Sequence, residues 1–248
     1  MSIVEIIFSP TGGTAKVARA FAEGWEGDVK TIDLTDPEKD FSTCAIDKHD
    51  QALIALPSFG GRVPAIATER LGRIAGNGAA CTLICVYGNR AYEDTLAEME
   101  DVAKACGFNV IAAVAAIAEH SIFPQFATGR PDAADAAQLR GFARRITEEA
   151  TGTPAIPGNR PYKQGGRGGL FPQPTGACVS CGLCARECPV QAIETDGFAA
   201  NPETCIGCMR CLRICPVNAR EVNAEAVAAK AEALSPICTP RKYNELFL

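Results

Sequence analysis

The chain has 248 residues and a net charge of −5, enough for one ordinary domain and a small second one. No apolar run reaches the roughly 20 residues of a membrane span, and no dense basic patch indicates nucleic-acid binding. The first residues show neither a basic segment nor a cleavage signal, so we expect a cytoplasmic protein.

A buried strand is predicted over residues 3–8, and a turn rich in hydroxyl groups and glycine follows it. Its candidate binding residues are Ser9, Thr11, Gly12, Gly13 and Thr14. Apolar residues at helical spacing come next, and a strand, turn and helix in this order bind phosphate through backbone N–H groups. The turn has neither the Walker lysine nor the GxGxxG spacing, which favours a terminal monophosphate over a triphosphate or dinucleotide. An ordinary strand–helix turn is the alternative.

Strands and helices then alternate to about residue 150. The strands are predicted over residues 29–33, 51–56, 81–87 and 110–117, and helical patterns follow the last three of them. Five strands alternating with helices predict an α/β domain, an open parallel sheet covered by helices on both faces. Ligands of such sheets bind beyond the carboxyl ends of the strands, where the turns after strands one, three and four lie.

Two of these turns add candidate binding residues to that edge. The turn after the third strand contains Pro57, Ser58, Phe59, Gly60 and Gly61. The fourth strand and its turn contain Tyr87, Gly88, Asn89, Arg90 and Tyr92. The small residues allow a ligand to approach the backbone closely, and the aromatic residues are available to contact a ring.

Residues 151–175 are rich in proline and glycine, which predicts a linker without regular structure. The linker also carries Tyr162, Leu170 and Phe171. These large apolar side chains suggest that it packs on a domain.

Two identical cysteine runs, C-x2-C-x2-C-x3-C-P, follow the linker. The first contains Cys178, Cys181, Cys184 and Cys188, and the second contains Cys205, Cys208, Cys211 and Cys215. This spacing is typical of bacterial iron–sulfur ligands, and the fourth cysteine of each run ligates the other cluster. The predicted [4Fe–4S] ligand sets are therefore Cys178, Cys181, Cys184 and Cys215, and Cys205, Cys208, Cys211 and Cys188. Structural zinc is the alternative. A zinc site needs only two CxxC pairs, which is fewer cysteines than these two runs contain.

The hydroxyl-rich turn Ser9-Pro-Thr11-Gly12-Gly-Thr14 resembles the phosphate loop of flavodoxins. Together with the twin cysteine runs, the chain is similar to fused flavodoxin–ferredoxin proteins. The resemblance implies a flavodoxin-like, doubly wound, five-stranded parallel sheet of order 2-1-3-4-5 that binds FMN. A small α+β ferredoxin domain with two [4Fe–4S] clusters follows. The expected divisions are residues 1–150, 151–175, 176–222 and a C-terminal helix and tail over 223–248.

The same resemblance implies roles for the turns. The first turn holds the FMN phosphate, and backbone groups of the second approach the ring edge. Asn89 offers its amide to the pyrimidine edge, and either Arg62 or Arg90 stabilises negative charge on the reduced ring. Alternatively, both arginines are surface cations. His120 is either a proton donor or a loop histidine without a role.

Three functions are compatible with these features. The leading interpretation is an electron-transfer protein that couples FMN to two [4Fe–4S] clusters and exchanges electrons with partners such as ferredoxins, flavoproteins or reductases. The second is an FMN-dependent reductase of a small molecule, fed by the clusters. The third is a metal-binding or redox-sensing protein without flavin.

Overall fold

A computed structural model describes residues 2–166 and 168–248. Five parallel strands form the centre of the chain in the order β2-β1-β3-β4-β5, which confirms the predicted order. They are β1 (Ile3–Ile7), β2 (Val29–Asp33), β3 (Gln51–Pro57), β4 (Ala80–Tyr87) and β5 (Asn109–Ile117). Four of these strands, all but the edge strand β2, are almost entirely buried, which explains their continuous runs of branched apolar residues.

Four helices cover the two faces of the sheet. They are α1 (Gly13–Ala22), α2 (Ala65–Leu71), α3 (Thr95–Ala105) and α4 (Ala133–Glu149). Helices α1 and α4 pack together on one face, where the Trp25 indole donates a hydrogen bond to the Ala143 carbonyl at 2.9 Å. Helices α2 and α3 pack on the other face. A sheet between two helical layers leaves the strand ends free to form a site.

The four elements that follow the sheet are short and lie in or beside the cysteine runs. They are β6 (Gln173–Pro174), α5 (Leu183–Arg186), α6 (Arg210–Ile214) and β7 (Arg220–Glu221), with β6 and β7 paired antiparallel. The linker before them packs on the sheet domain, as predicted: the Asp94 carboxylate accepts hydrogen bonds from the backbone N–H groups of Asn159 and Lys163 at 2.8 and 2.7 Å.

The C-terminal segment corrects the prediction of a five-stranded sheet. Helix α7 (Ala224–Cys238) leads to β8 (Glu245–Phe247), which adds antiparallel to the edge of β5 as a sixth strand. Asn244 fixes this junction, because its side-chain oxygen accepts the Ile117 N–H at 3.0 Å. Three residues are too few to show strand periodicity, so only the contact with β5 reveals the strand.

In the described part of the chain, no helix is long and apolar enough to cross a membrane.

Candidate functional site

A cavity of about 470 Å³ lies at the carboxyl ends of the parallel strands. Its size falls within the usual range of ligand pockets. The three predicted turns all contribute to its wall, through Thr11, Gly13, Thr14, Pro57, Ser58, Phe59, Gly60, Tyr87, Gly88 and Arg90. Four further segments contribute to it: the loop over residues 118–123 after β5, linker residues Gly166, Gly168 and Leu170, residues 206–208 of the second cysteine run, and helix α7.

The first turn has the geometry of an anion site. Gly12 adopts a left-handed conformation with φ of 89°, and α1 begins at the next residue. The Ser9 hydroxyl accepts the Ala15 N–H at 2.9 Å and so closes the turn. Within the described residues, the backbone N–H groups of Gly13 and Thr14 have no hydrogen-bond partner. Unpartnered N–H groups at a helix N-terminus favour an anion, so the turn fits a phosphate group.

The first turn packs closely against the end of β5. A Cβ atom added to Gly13 would come within 3.3 Å of the Ala118 side chain. A side chain at position 13 would therefore crowd the junction between the first turn and the end of β5. Glycine at position 13 allows this close contact with Ala118.

Five predicted residues are absent from the described lining of the cavity: Ser9, Gly12, Gly61, Asn89 and Tyr92. Ser9 and Gly12 shape the first turn, and the Gly61 carbonyl accepts the Asp94 N–H at 3.1 Å. The Tyr92 hydroxyl donates to Glu245 at 3.2 Å and its ring packs on Tyr87.

The structure differs from the expected role of Asn89. Its amide donates to the carbonyls of Cys238 and Pro240 at 2.6 and 2.9 Å, and its side-chain oxygen is buried without a partner in the described residues. The C-terminal segment takes the hydrogen bonds that were expected to reach a ligand. Asn89 therefore anchors this segment to the turn after β4.

The two candidate arginines occupy different environments. Arg62 is not in the described cavity lining: its guanidinium makes two 2.8 Å hydrogen bonds to the Glu98 carboxylate and donates to the Lys163 carbonyl. Arg90 lines the cavity and pairs with Glu93 at 2.8 Å. Lys230 of α7 brings a second cation to the same cavity. Arg90 and Lys230 are the two cations in the described lining of the cavity, and the Lys230 ammonium also donates to the Gly168 carbonyl.

His120 lines the cavity as a neutral imidazole. Burial, with a smaller contribution from the Arg90 charge, lowers its pKa to about 4. Its Nδ1 atom accepts the Ile122 N–H at 3.2 Å, so the proton resides on Nε2. The ring packs on Phe123 and lies over Gly88, where an added Cβ would come within 2.6 Å of it. Near neutral pH, His120 can donate a hydrogen bond but supplies no positive charge.

The chain should become less stable between pH 7 and pH 5 because of His120. Its pKa is lower in the folded chain than the ordinary 6.5, so the unfolded chain binds the proton more strongly. We expect this residue to contribute a loss of about 2 kcal/mol of unfolding free energy over that range. Anaerobic urea unfolding of His120→Gln should show the smaller pH effect, and exposed His49→Gln should match the parent. An unchanged pH effect in His120→Gln would contradict this assignment.

The eight cysteines of the twin runs surround two small cavities. Cys178, Cys181, Cys184 and Cys215 line one, and Cys188, Cys205, Cys208 and Cys211 line the other. Each cavity thus takes three cysteines from one run and the fourth from the other run. In the described residues, no three His, Cys, Asp or Glu side chains are close enough to hold a single metal ion.

The two cysteine groups share a local architecture. The N–H of Ala192 donates to Cys188 Sγ at 3.3 Å, and the N–H of Ala219 donates to Cys215 Sγ at 3.2 Å. Hydrogen bonds to the sulfurs are one means by which a protein sets cluster potentials. Arg220 adds a second kind of contact at the first cavity, because its guanidinium donates to Cys184 Sγ at 3.4 Å.

The groups differ in their surroundings. All four cysteines of the second group are buried, whereas Cys181 of the first group is exposed. Cys208 lines both the second small cavity and the large cavity at the strand ends. The two candidate cofactor sites therefore share a wall.

Two contributions to the site were missed by the sequence reasoning. Ile206 packs against the core of the sheet domain and lines the large cavity, and Lys230 reaches it from α7. Arg70 of α2 also connects the sheet domain to the first cysteine run, because its guanidinium donates to the carbonyls of Leu34 and Pro189 at 2.6 and 2.7 Å. The only sequence signal for Ile206 is its place inside the second cysteine run, next to Cys205.

Comparisons with known families and structures match the N-terminal and C-terminal parts of the chain separately. Residues 177–219 match the family model of the 4Fe–4S dicluster domain. No curated protein matches the chain.

Solved structures similar to the chain include several flavodoxins. A flavodoxin from the domain Archaea has 13% identity and a TM-score of 0.42, with 60% of this chain and 99% of that chain covered. A Fusobacterium nucleatum flavodoxin mutant bound to flavin mononucleotide has 16% identity and a TM-score of 0.42, with coverages of 61% and 98%. The rubredoxin oxygen:oxidoreductase of Desulfovibrio gigas has 17% identity and a TM-score of 0.42, with coverages of 59% and 35%.

These similarities are weak, so the strand order itself defines the N-terminal fold. The chain combines a flavodoxin-like sheet with a C-terminal 4Fe–4S domain.

Proposed function

We propose that the chain is an electron-transfer protein that carries one FMN and two [4Fe–4S] clusters and couples two-electron to one-electron carriers. One observation carries the proposal: Cys208 lines both the cavity of the second cysteine group and the large cavity at the strand ends. A cluster ligated by Cys208 is then separated from a flavin in the large cavity only by that side chain and its loop.

The large cavity offers a suitable set of groups for FMN. The N–H groups of Gly13 and Thr14, with the Thr11 and Thr14 hydroxyls, would hold the phosphate. Ser58, Gly60 and Gly88 would bring backbone close to the ring edge. Arg90 and Lys230 would face negative charge that develops on the ring. When bound, FMN would exchange electrons in pairs or singly, whereas each cluster exchanges one.

The cysteine arrangement supports clusters rather than single zinc ions. Each group of four lines one small cavity, which takes three thiols from one run and the fourth from the other. The crossed membership, with Cys215 beside the first run and Cys188 beside the second, is the arrangement of bacterial two-cluster proteins. Thiolate ligands of this kind favour a reducing compartment, in keeping with the proposed cytoplasmic location.

The difference in exposure between the two cysteine groups suggests the route by which electrons pass through the chain. The first cysteine group reaches the surface through Cys181, and the second is buried beside the large cavity. We propose that electrons enter or leave through the first cluster and reach the flavin site through the second. Redox partner proteins would therefore meet the chain at its C-terminal domain.

The observation that favours the alternative, a flavin-dependent reductase, is the wall formed by Glu119, His120 and Ser121. These polar groups lie beside the apolar side chains of Phe123 and Leu234, a combination typical of small-molecule sites. Sustained oxidation of a reduced donor by one defined small acceptor would favour the reductase. A single turnover that stops when the cofactors are reduced would favour the carrier.

Stopped-flow reduction by a reduced two-cluster ferredoxin, which is too large to enter the cavity, tests the proposed route. Cys211→Ala should remove the second cluster without altering the described lining of the large cavity, and flavin reduction should slow at least tenfold. Cys106→Ala, which changes a half-buried cysteine outside the runs, should match the parent. An unchanged rate in a Cys211→Ala protein that retains flavin would contradict the route.

A further inference from the structure

The two cysteine runs have matching backbones. Residues 27 positions apart, the spacing between Cys178 and Cys205, adopt the same left-handed conformations. The angle φ is 55° at Ser180 and 64° at Gly207, and 71° at Gly182 and 63° at Met209. The sulfur-directed hydrogen bonds from Ala192 and Ala219 are equivalent in the same way. Each stretch of one run therefore has a structural counterpart in the other.

This correspondence relates an internal contact to an exposed surface. Residues 206–208 of the second run face the large cavity, and Ile206 packs against the sheet domain. Their counterparts in the first run are residues 179–181, all three of which are exposed. Val179 is 61% exposed, whereas Ile206 is half-buried. One of two equivalent faces is covered by the chain itself, and the other is left open.

The open face is apolar and uncharged. Val179 and Val217 both line the cavity of the first cysteine group, and Val217 is 44% exposed. Residues 174–185 and 214–219 contain no charged side chain. Two cations adjoin this face: the Arg186 guanidinium donates to the Cys181 carbonyl at 3.1 Å, and the guanidinium of the buried Arg220 donates to Cys184 Sγ at 3.4 Å. Exposed large apolar residues in one patch are a feature of protein docking surfaces.

We propose that residues 179–181 and Val217, here called the valine face, form the docking surface for a one-electron carrier protein. The inference rests on the proposed function, because it requires a cluster on the first cysteine group. The carrier would present its own redox centre to the valine face as the sheet domain presents the flavin site to residues 206–208. A carrier with an apolar, weakly charged rim fits this surface best.

The electron transfer at the valine face is simple to balance. The reduced carrier loses one electron and the oxidised first cluster gains it, with no bond formed or broken. Affinity for the carrier comes from burial of Val179 and Val217 rather than from ion pairs, so it should depend weakly on salt.

The test compares two electron donors and three exposed valines. The donors are a reduced two-cluster ferredoxin, which must dock, and reduced methyl viologen, a small molecule that need not dock. Val179→Glu and Val179→Lys should each lower the second-order rate constant with ferredoxin at least tenfold, and so should Val217→Glu. Val29 lies in the edge strand β2 of the sheet domain and is 46% exposed, so Val29→Glu should leave this rate constant unchanged. All variants should react with methyl viologen as the parent does.

The outcomes separate the docking surface from the proposed function. Unchanged ferredoxin rates in the Val179 and Val217 variants, with normal viologen reduction of clusters and flavin, would overturn the docking surface alone. Opposite effects of Val179→Glu and Val179→Lys would indicate electrostatic steering and would also overturn it. If the valine substitutions changed only the dimerisation of the protein, measured by sedimentation, the occupant of the valine face would be a second copy of this chain and not a carrier. Failure of viologen to reduce any cluster would instead contradict the proposed function.

Discussion

Replacing Cys188 and Cys178 together should remove nearly all iron from the chain, whereas replacing Cys188 and Cys205 together should remove only half. Cys188 lines the cavity of the second group, with Cys205, although it belongs to the first run of the sequence. Cys178 lines the other cavity. A cluster that loses one thiolate ligand is expected to be lost, and losses within one cluster do not add.

The expected iron contents are distinct. The parent should hold about eight irons per chain, Cys188→Ala with Cys205→Ala about four, and Cys188→Ala with Cys178→Ala close to none. Iron and acid-labile sulfide assays on anaerobic protein give the result. If each run instead held its own cluster, the two double variants would exchange their values. Cys215→Ala with Cys178→Ala is the reciprocal control and should retain about four irons.

Thr11→Ala with Thr14→Ala should weaken FMN binding at least a hundredfold and leave the iron content unchanged. Both threonines line the large cavity at the turn before α1, and Thr14 is only 5% exposed. Each hydroxyl is expected to donate to a charged phosphate, and removal of two such hydrogen bonds costs about 3 kcal/mol or more. Equilibrium dialysis or fluorescence titration of the apoprotein with FMN measures the effect.

A matched control separates the phosphate turn from general destabilisation. Thr147→Ala removes a threonine hydroxyl that bonds the Ala143 carbonyl within α4, away from the described cavity lining. Its FMN affinity should equal that of the parent. Equal FMN affinity in the double threonine variant would show that the turn does not bind the phosphate. A simultaneous loss of iron would show that the substitutions disturb the whole chain.

Sequence patterns predicted the central sheet well because its strands carry strong local signals. Each inner strand is a run of branched apolar residues between glycine-rich turns, and burial on both faces requires exactly such runs. The grouping of turns at one sheet edge follows from parallel topology alone. The structure accordingly brings Thr14, Ser58 and Gly88 to one cavity.

The C-terminal segment was beyond these patterns because its structure depends on distant contacts. Strand β8 exists through its pairing with β5, and the Asn89 amide turns towards Cys238 and Pro240, more than a hundred residues away. Lys230 likewise reaches the cavity only because α7 packs against it. The expectation for Asn89 failed because a polar side chain after a strand can face either a ligand or another segment of the same chain.

The wall shared by the proposed flavin and cluster sites was also unpredictable from sequence. The spacing of the cysteines fixes which thiolates converge but not which face of the cluster loop meets the sheet domain. Ile206 and Val179 occupy equivalent repeat positions and have similar chemistry, although one is half-buried and the other exposed. Only the packing of the two halves distinguishes them.

The most direct test of the account is the cofactor content of anaerobically purified protein, with flavin, iron, acid-labile sulfide and zinc measured on one sample. The account predicts one FMN with about eight irons and about eight sulfides per chain, and no stoichiometric zinc. Iron and sulfide without flavin would contradict the assignment of the large cavity to FMN. Zinc in place of iron would contradict the assignment of the cysteine groups to iron–sulfur clusters.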